Sequence, residues 1–184
     1  ALLLVGVPPV AANATNTFSS CSGYLSGAYA LRHELRDKRV AIGSYAAFSL
    51  AGGALGAWLL LQTPEARFRE AVPWLLLFAS VLFIWGGRLN LLLRSLSGRH
   101  QHASTLGRLA LAFFLLAVCT YGGFFNAGLG IIILSYLVLA GETDINTMNG
   151  VKLLVSSVVS LVAIALFVVD GVIVWHEGLI VLVG

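Results

Sequence analysis

The chain has 184 residues, of which 59% are hydrophobic and only 10% are charged, and its mean hydropathy is +0.93. A soluble domain carries about 25% charged residues, so this chain has too few polar side chains to cover its surface in water. The net charge is +3, but eight of the 11 Lys and Arg lie in residues 32–39 and 88–108, between apolar runs. This distribution is typical of cytoplasmic loops and argues against a nucleic-acid-binding face. We therefore expect an integral membrane protein.

Three membrane crossings are predicted in the first half of the chain. The first covers about residues 13–31, begins with small and polar side chains and is followed by the basic segment RHELRDKR. The second covers residues 40–61 and is rich in Ala and Gly, which let helices approach closely. After a short polar turn, TPEARFRE, the third covers residues 71–85, with a tryptophan near each end, as at membrane interfaces.

A glycine-rich centre interrupts the apolar stretch of residues 109–140, which is too long for one straight crossing of about 20 residues. The centre reads YGGFFNAGLG. Glycines at this density break a helix. We predict two half-helices that meet at a glycine-rich tip, or one interrupted helix. After the polar turn GETDINT a further crossing is predicted over residues 149–169, and a last run begins near Val172.

A weak internal repeat relates the two halves. A shift of 135 residues aligns VGVPPVAANATNTFSSCSGYLSGAYAL with AGETDINTMNGVKLLVSSVVSLVAIAL without gaps. If residues 109–140 dip into the membrane and return, the basic loop of the first half and the cation-free VVDGVIVWHE of the second lie on opposite sides. That arrangement implies inverted repeats, a common transporter plan. If residues 109–140 cross fully, VVDGVIVWHE is cytoplasmic instead.

The predicted organisation has three parts. Residues 1–85 form a first repeat, residues 86–108 a basic cytoplasmic linker, and residues 109–184 a second repeat. Both ends of the chain lie inside apolar runs, and the first residues lack the charged start of a signal peptide. We therefore expect the N-terminal part of the first repeat and the C-terminal part of the second to be missing.

Polar side chains crowd the start of the first crossing, notably Asn13, Thr15, Asn16 and Thr17. Unpaired polar atoms are costly in hydrocarbon, so a lipid-facing helix would not carry so many. Two interpretations stay open. The side chains cap the helix and bond to neighbouring helices, or they line a pocket where hydroxyls, amides and helix N-terminal N–H groups bind a small oxyanion.

The second half offers Asn149, Lys152 and Ser156 at the matching helix start, and Lys152 aligns with Thr17 in the repeat. An ammonium near membrane depth is expensive and is a functional candidate that could neutralise a bound anion. The alternative is a lysine whose head group reaches the lipid head groups.

The glycine-rich segment adds Gly123, Asn126 and Gly128 as candidates. Irregular backbone at membrane depth survives where it lines protein or a water-filled cavity, so this segment could line a substrate path. The alternative is tight helix packing. The four histidines form no evident metal site, and no nucleophile elbow, phosphate-binding loop or carboxylate pair supports an enzyme.

These segments resemble the TauE/SafE family of membrane permeases, known for export of sulfite and organosulfonates. The similarity lies in PPVAANATNT followed by YALRHELR, in LAGGALGAWLL, in YGGFFNAGLGIIILSYLVLAG, and in DINTMNGVKLLVSSVVSLVAIALFVVDGVIVWHEGLIVLVG. The resemblance implies a secondary carrier of two related halves that moves sulfite, sulfonates or related carboxylates. The glycine break and the polar helix starts would form its central path.

The sequence thus predicts an all-α, polytopic membrane protein of two inverted repeats with glycine-broken or re-entrant helices. We expect it to lie in the inner cell membrane as a multi-pass permease for small anions that works by alternating access. Its partners would be the anion and the lipid bilayer, without nucleic acid; no cofactor is expected, and proton coupling stays open. A passive anion channel and a non-transporting, partner-binding membrane component are the alternatives.

Overall fold

The computed structural model describes residue 2 and residues 6–35, 39–97 and 105–183. None of these residues lies in a β-strand, which agrees with the all-α prediction. The helices of the described part are α1 (Pro9–Ala30), α2 (Arg39–Gln62), α3 (Glu65–Ser97), α4 (Thr105–Phe124), α5 (Leu129–Leu139), α6 (Ile145–Val169) and α7 (Trp175–Val183).

Three helices of the described part are long and apolar enough to cross a bilayer. The segments are Ile42–Gln62 in α2, Gly107–Phe124 in α4 and Ile145–Val169 in α6. Many large apolar side chains lie on the outside of the bundle; Trp74 and Phe113 are 73% and 74% exposed. Such surfaces are stable against lipid and unfavourable in water, so the structure agrees with a helical membrane protein.

The predicted interruption of residues 109–140 is present, since α4 ends at Phe124 and α5 begins at Leu129. Between the two helices Asn126 has φ = 62° and Gly128 has φ = 78°. Left-handed backbone costs glycine nothing and is tolerated by asparagine better than by most residues. The residues at these two positions therefore allow the chain to leave α4 and start α5 within four residues.

Glycines bring α2 into backbone contact with α4. A methyl group added to Gly52 would lie 3.0 Å from the carbonyl oxygen of Leu116, and one added to Gly56 would overlap the carbonyl oxygen of Thr120. The contact moves from Leu116 to Thr120 along α4 as it moves from Gly52 to Gly56 along α2. The two helices therefore run in the same direction. Helices this close require residues without side chains at the contact.

Helices α1 and α6 run in opposite directions. A methyl group on Gly27 would lie 2.9 Å from the side chain of Leu153, whereas Gly150, earlier in α6, faces Leu31, later in α1. The C-terminal end of α1 thus lies beside the N-terminal part of α6. This pairing fixes which residues of the two helices share a level in the bundle.

Helix α3 is longer than the predicted third crossing. It begins at Glu65, within the expected polar turn, and continues to Ser97, within the expected linker, so its 33 residues span about 50 Å. Pro64 followed by an acidic residue is a helix-start signal, and Leu-rich sequence on both sides of the Gly86–Gly87 pair favours helix over a break. The rest of the connection to α4, residues 98–104, lies outside the described residues, as do residues 36–38 of the first basic loop.

Buried apolar side chains form two clusters at opposite ends of the bundle. One includes Leu35 and Met148, at the end where α1 finishes and α6 begins. The other includes Val10, Phe68 and Phe167, where α1 begins and α6 finishes. The candidate site lies beside this second cluster.

Candidate functional site

A cavity of about 330 Å³ lies between the first half of α1, the start of α3 and the turn that joins α4 to α5. Its polar side chains are two amides, and its other walls are apolar. No lysine or arginine is among the described residues that line it. Those residues are Leu2, Pro9, Ala12, Asn13, Asn16, Phe68, Val72, Leu76, Phe125, Ala127 and Val181.

The two amides lie on one face of α1, three residues apart, as neighbours on a helix surface do. The Asn13 side chain donates its Nδ2–H to the carbonyl oxygen of Phe124 at 2.9 Å. This bond joins α1 to the C-terminal end of α4, at the glycine-rich turn. Asn16 is exposed in the cavity. Asn13 and Asn16 therefore both line this cavity, and their role in substrate binding stays a prediction.

The N-terminus of α1 is capped by a carboxylate from another helix. Pro8 stands at the N-cap position and makes no side-chain cap. Instead, the backbone N–H of Val10 donates to Oε2 of Glu65, at the start of α3, at 3.2 Å. Helix α6 differs, because its own N-cap residue Asp144 accepts from the N–H of Thr147 at 2.8 Å. Sequence reasoning missed Glu65, although two prolines at a helix start signal that a cap must come from elsewhere.

Thr15 and Thr17 are buried and are not among the described residues that line the cavity. Thr15 is fully buried, and its hydroxyl oxygen accepts from the N–H of Val174, just before α7, at 3.1 Å. The hydroxyl of Thr17 donates to the carbonyl oxygen of Asn13 within α1 at 3.0 Å. The bond of Thr15 joins two parts of the bundle, as the packing interpretation expects, and that of Thr17 lies within one helix. A role of either threonine in substrate binding stays a prediction.

Lys152 lies at a different level from the cavity. Its Nζ donates to Oδ1 of Asn149 at 2.9 Å. The next residue, Leu153, contacts Gly27. Gly27 follows Asn13 by 14 positions, about 21 Å along an α-helix. The structure therefore does not bring Lys152 and Asn149 together with Asn13 in one cavity, and their role in substrate binding stays a prediction.

The remaining candidates are distributed along the bundle. A methyl group on Gly123 would overlap the carbonyl oxygen of Gly53, so Gly123 serves the contact between α4 and α2. Gly128 is the left-handed N-cap residue of α5. Ser156 is 3% exposed, inside α6. Asn126 is 5% exposed, and its Oδ1 has no hydrogen-bond partner among the described residues, an arrangement that costs free energy.

Comparison with known proteins identifies the family. The whole chain, residues 1–184, matches the family model described as "Sulfite exporter TauE/SafE".

The chain belongs to the TauE/SafE family.

Two relatives illustrate this membership. The chain is 30% identical over 191 aligned positions to a "Probable membrane transporter protein" of Haemophilus influenzae, an alignment that covers all of this chain and 69% of the relative. It is 28% identical over 192 positions to the "Probable membrane transporter protein YfcA" of Escherichia coli strain K12, covering all of this chain and 66% of that protein. No solved structure has significant similarity to it.

Membership of the TauE/SafE family confirms the resemblance inferred from the glycine-rich segment and the polar helix starts. A TauE/SafE chain is a membrane protein of a transporter family, which agrees with the expectation of a permease rather than an enzyme. This chain spans about two thirds of the length of the relatives it matches. Within its described residues no group of three or more His, Cys, Asp or Glu could hold a metal ion.

Proposed function

We propose that this TauE/SafE protein is a multi-pass, inner-membrane secondary transporter for small anions that works by alternating access. The observation that carries the proposal is the cavity beside the N-terminus of α1, where the amides of Asn13 and Asn16 meet the turn between α4 and α5. Amide N–H groups and a helix N-terminus both favour negative charge. The arrangement can therefore hold an anionic group without a lysine or arginine in contact with it.

Glu65 shows that the first turn of α1 binds a carboxylate, and in this conformation Glu65 itself occupies that place. Its carboxylate accepts a hydrogen bond from the first turn of α1, so the protein itself places negative charge at this helix N-terminus. A carboxylate or sulfonate of a substrate presents the same acceptor oxygens. Because Glu65 belongs to α3 and not to α1, it can leave α1 when the two helices move apart.

The helix directions support a topology with basic residues on one side. Helices α2 and α4 run in the same direction, so their N-terminal ends, which carry Arg39 and Arg108, lie at the same end of the bundle. The positive-inside rule makes that end cytoplasmic. The cavity then lies nearer the outer side, and Lys152 lies nearer the cytoplasm. We propose that Lys152 contacts the anion at a later step of its passage.

Turn geometry supports the internal repeat. Gly6 and Gly141, which the 135-residue shift aligns, have φ values of 87° and 88°. In both turns the N–H of the residue after the glycine donates to the carbonyl five residues before that residue. Gly171 ends α6 with the same turn, so the turn is not specific to the repeat. It supports the repeat only together with the helix directions. Helices α1 and α6, the equivalent helices of the two halves, run antiparallel, as inverted repeats require.

The test is flux into proteoliposomes that contain the purified protein, with sulfite, thiosulfate, a sulfonate and a carboxylate, with and without a pH gradient. Saturable uptake of an anion, lost in Asn13→Ala and Asn16→Ala variants, supports the proposal, and a response to the gradient indicates proton coupling. Flux that never saturates would indicate the passive channel. Absence of flux for every anion would favour the partner-binding membrane component.

A further inference from the structure

We infer that the turn between α4 and α5 binds a sodium ion, coordinated by the side-chain oxygen of Asn126 and the backbone carbonyl oxygens of Gly122 and Gly123. The inference deepens the proposed function and rests on it for its role, because this ion would be coupled to transport of the anion. The site itself follows from the hydrogen bonds of the turn, the conformation of Asn126 and the charges around it.

The end of α4 leaves two buried carbonyl oxygens unpaired. An α-helix has no internal donors for its last four carbonyl groups. Among the described residues, two of these four groups in α4 accept hydrogen bonds, whereas nothing donates to the carbonyl oxygens of Gly122 and Gly123. The chain turns before it can supply a donor, and the N–H of Ala127 donates to the carbonyl oxygen of Phe125 at 2.7 Å instead. Both glycines are buried, so their carbonyl groups need a partner inside the protein.

Asn126 brings a third unpaired oxygen to the same turn. Its side chain is 5% exposed, and no described residue donates to its Oδ1. This oxygen does not cap α5, because the N-cap residue of α5 is Gly128 and no side chain caps the helix there. The backbone of Asn126 also has a left-handed φ of 62°, which costs most residues free energy. An unpaired buried acceptor on a strained backbone is unfavourable, which points to a ligand that pairs with it.

The turn is compact enough for the three oxygens to share one ion. Only four residues separate α4 from α5. The side chain of Leu129 lies 2.7 Å from a methyl group placed on Gly122, so the chain folds back onto the end of α4. The hydroxyl of Tyr121 donates to the carbonyl oxygen of Ala127 at 2.6 Å and closes the turn. The three unpaired oxygens therefore lie within one short, closed segment.

Three neutral acceptors without a donor suit a small monovalent cation. Amide and carbonyl oxygens do not take up a proton near neutral pH, so this set cannot hold a coupled proton. Calcium and magnesium sites include carboxylates, and residues 122–129 contain none. Unwound carbonyl groups and helix C-termini bind sodium in transporters with broken helices. The oxygens of one short segment can also surround sodium more closely than the larger potassium ion.

The charges around the turn also favour a cation. The C-terminus of α4 carries a partial negative charge of about half an elementary charge. The start of α5 carries the opposite partial charge, but its first N–H group, that of Leu129, already donates to the backbone carbonyl of Asn126. The stem of Lys152 lies beside Gly130, while its Nζ donates to Asn149 and not to the turn. No positive side chain of the described residues therefore pairs with the three oxygens.

Thermal unfolding of the purified protein in detergent tests the site without any transported molecule. A sodium titration at constant total chloride, with choline as the replacing cation, gives the Kd. At about ten times this Kd, sodium should raise Tm by about 3–6 °C over choline chloride alone, because a ligand of the folded state stabilises it. Potassium chloride should give a smaller rise, because the larger ion fits the turn less well.

Two substitutions of Asn126 keep the left-handed backbone and change the oxygen. Asn126→Gly removes Oδ1 and relaxes the backbone, so it should be at least as stable as the wild type in choline chloride and lose most of the sodium effect. Asn126→Asp places a negative charge there and should bind sodium about tenfold more tightly. Ser160→Ala is the control, because it removes another buried, unpaired oxygen, in α6, and should leave the sodium effect unchanged.

Several results would show that the inference is wrong. If choline or potassium raises Tm as much as sodium, the effect is one of ionic strength. If Asn126→Gly keeps the sodium effect, the ion binds elsewhere. If Asn126→Gly is much less stable than the wild type in choline chloride, the amide has a partner within the protein and is not available to an ion.

Anion uptake into proteoliposomes separates this inference from the proposed function. With equal pH on both sides, a sodium gradient should change the initial rate of uptake by about fivefold or more. If uptake responds to a pH gradient but neither uptake nor Tm responds to sodium, the sodium inference is wrong and anion transport stands. If sodium raises Tm of the wild type and not of Asn126→Gly, while no anion is taken up, the sodium site stands and the proposed function fails.

Discussion

Substitution of Gly123 by alanine tests whether the glycine-rich segment serves packing or a substrate path. The added methyl group would overlap the carbonyl oxygen of Gly53 and lie 3.0 Å from its Cα. The obstacle is backbone, so no side-chain rotation can relieve it, and α2 and α4 must separate. Overpacking of this kind costs about 1–3 kcal/mol. We expect a value near the upper limit, because two whole helices have to move.

Thermal unfolding of the protein in detergent, followed by tryptophan fluorescence, measures the effect. For a chain of this size, 1 kcal/mol changes Tm by about 2–4 °C, so Gly123→Ala should lower Tm by roughly 5–10 °C. Gly43→Ala is the control, because it lies in α2 with nothing within 4 Å of an added methyl group. Alanine in its place should stabilise the helix by about 0.5–1 kcal/mol. An unchanged Tm for Gly123→Ala together with lost anion uptake would refute the packing argument and favour a path.

Three further predictions concern charge and topology. Glu65→Gln should tighten anion binding by about two- to fivefold, because a competing charge leaves the N-terminus of α1. Glu70 is exposed on the same helix, and anion binding by the Glu70→Gln variant should not change. Equal effects of the two substitutions would show only general charge repulsion. Lys152→Ala should abolish or strongly reduce anion uptake while Lys152→Arg keeps part of it, and unchanged kinetics of the alanine variant would remove Lys152 from the transport path. An accessible tag after Asp170 should be labelled from outside intact cells and one after Arg36 should not, whereas labelling of both from one side would contradict the inverted topology.

Local sequence predicts the helices and the break well, because both depend on neighbouring residues. Apolar runs of crossing length give α2, α4 and α6, and the glycines around Asn126 give the interruption that the structure places between Phe124 and Leu129. The end of α3 was less predictable. Gly86 and Gly87 mark a break only when the surrounding sequence is also unfavourable to helix, and here Leu-rich sequence surrounds them.

Of the four site residues predicted in α1, two line the cavity. Asn13 and Asn16 line the cavity, whereas Thr15 and Thr17, named with them because they are near in sequence, do not. A helix advances about 100° per residue, so Thr15, two positions from Asn13, lies on another face. Thr17, four positions from Asn13, donates its hydroxyl to the carbonyl oxygen of Asn13 instead. Helix periodicity could not predict the separation of Lys152 from Asn13. That separation depends on the relative position of α1 and α6 along the axis of the bundle.

Glu65 shows how the site and the motion of the helices are connected. The prolines at the start of α1 give this helix no cap of its own, and its first turn is satisfied by a carboxylate from α3. In the proposed function, an anion that enters the adjoining cavity would compete with Glu65 for the N–H of Val10, because both need the positive end of the same helix. In the proposed mechanism, binding of the anion would weaken this contact between α1 and α3, and loss of the anion would restore it. Alternating access, as proposed for this protein, requires such a link between occupancy of the site and packing of the helices, and Glu65 is the residue that we propose for it.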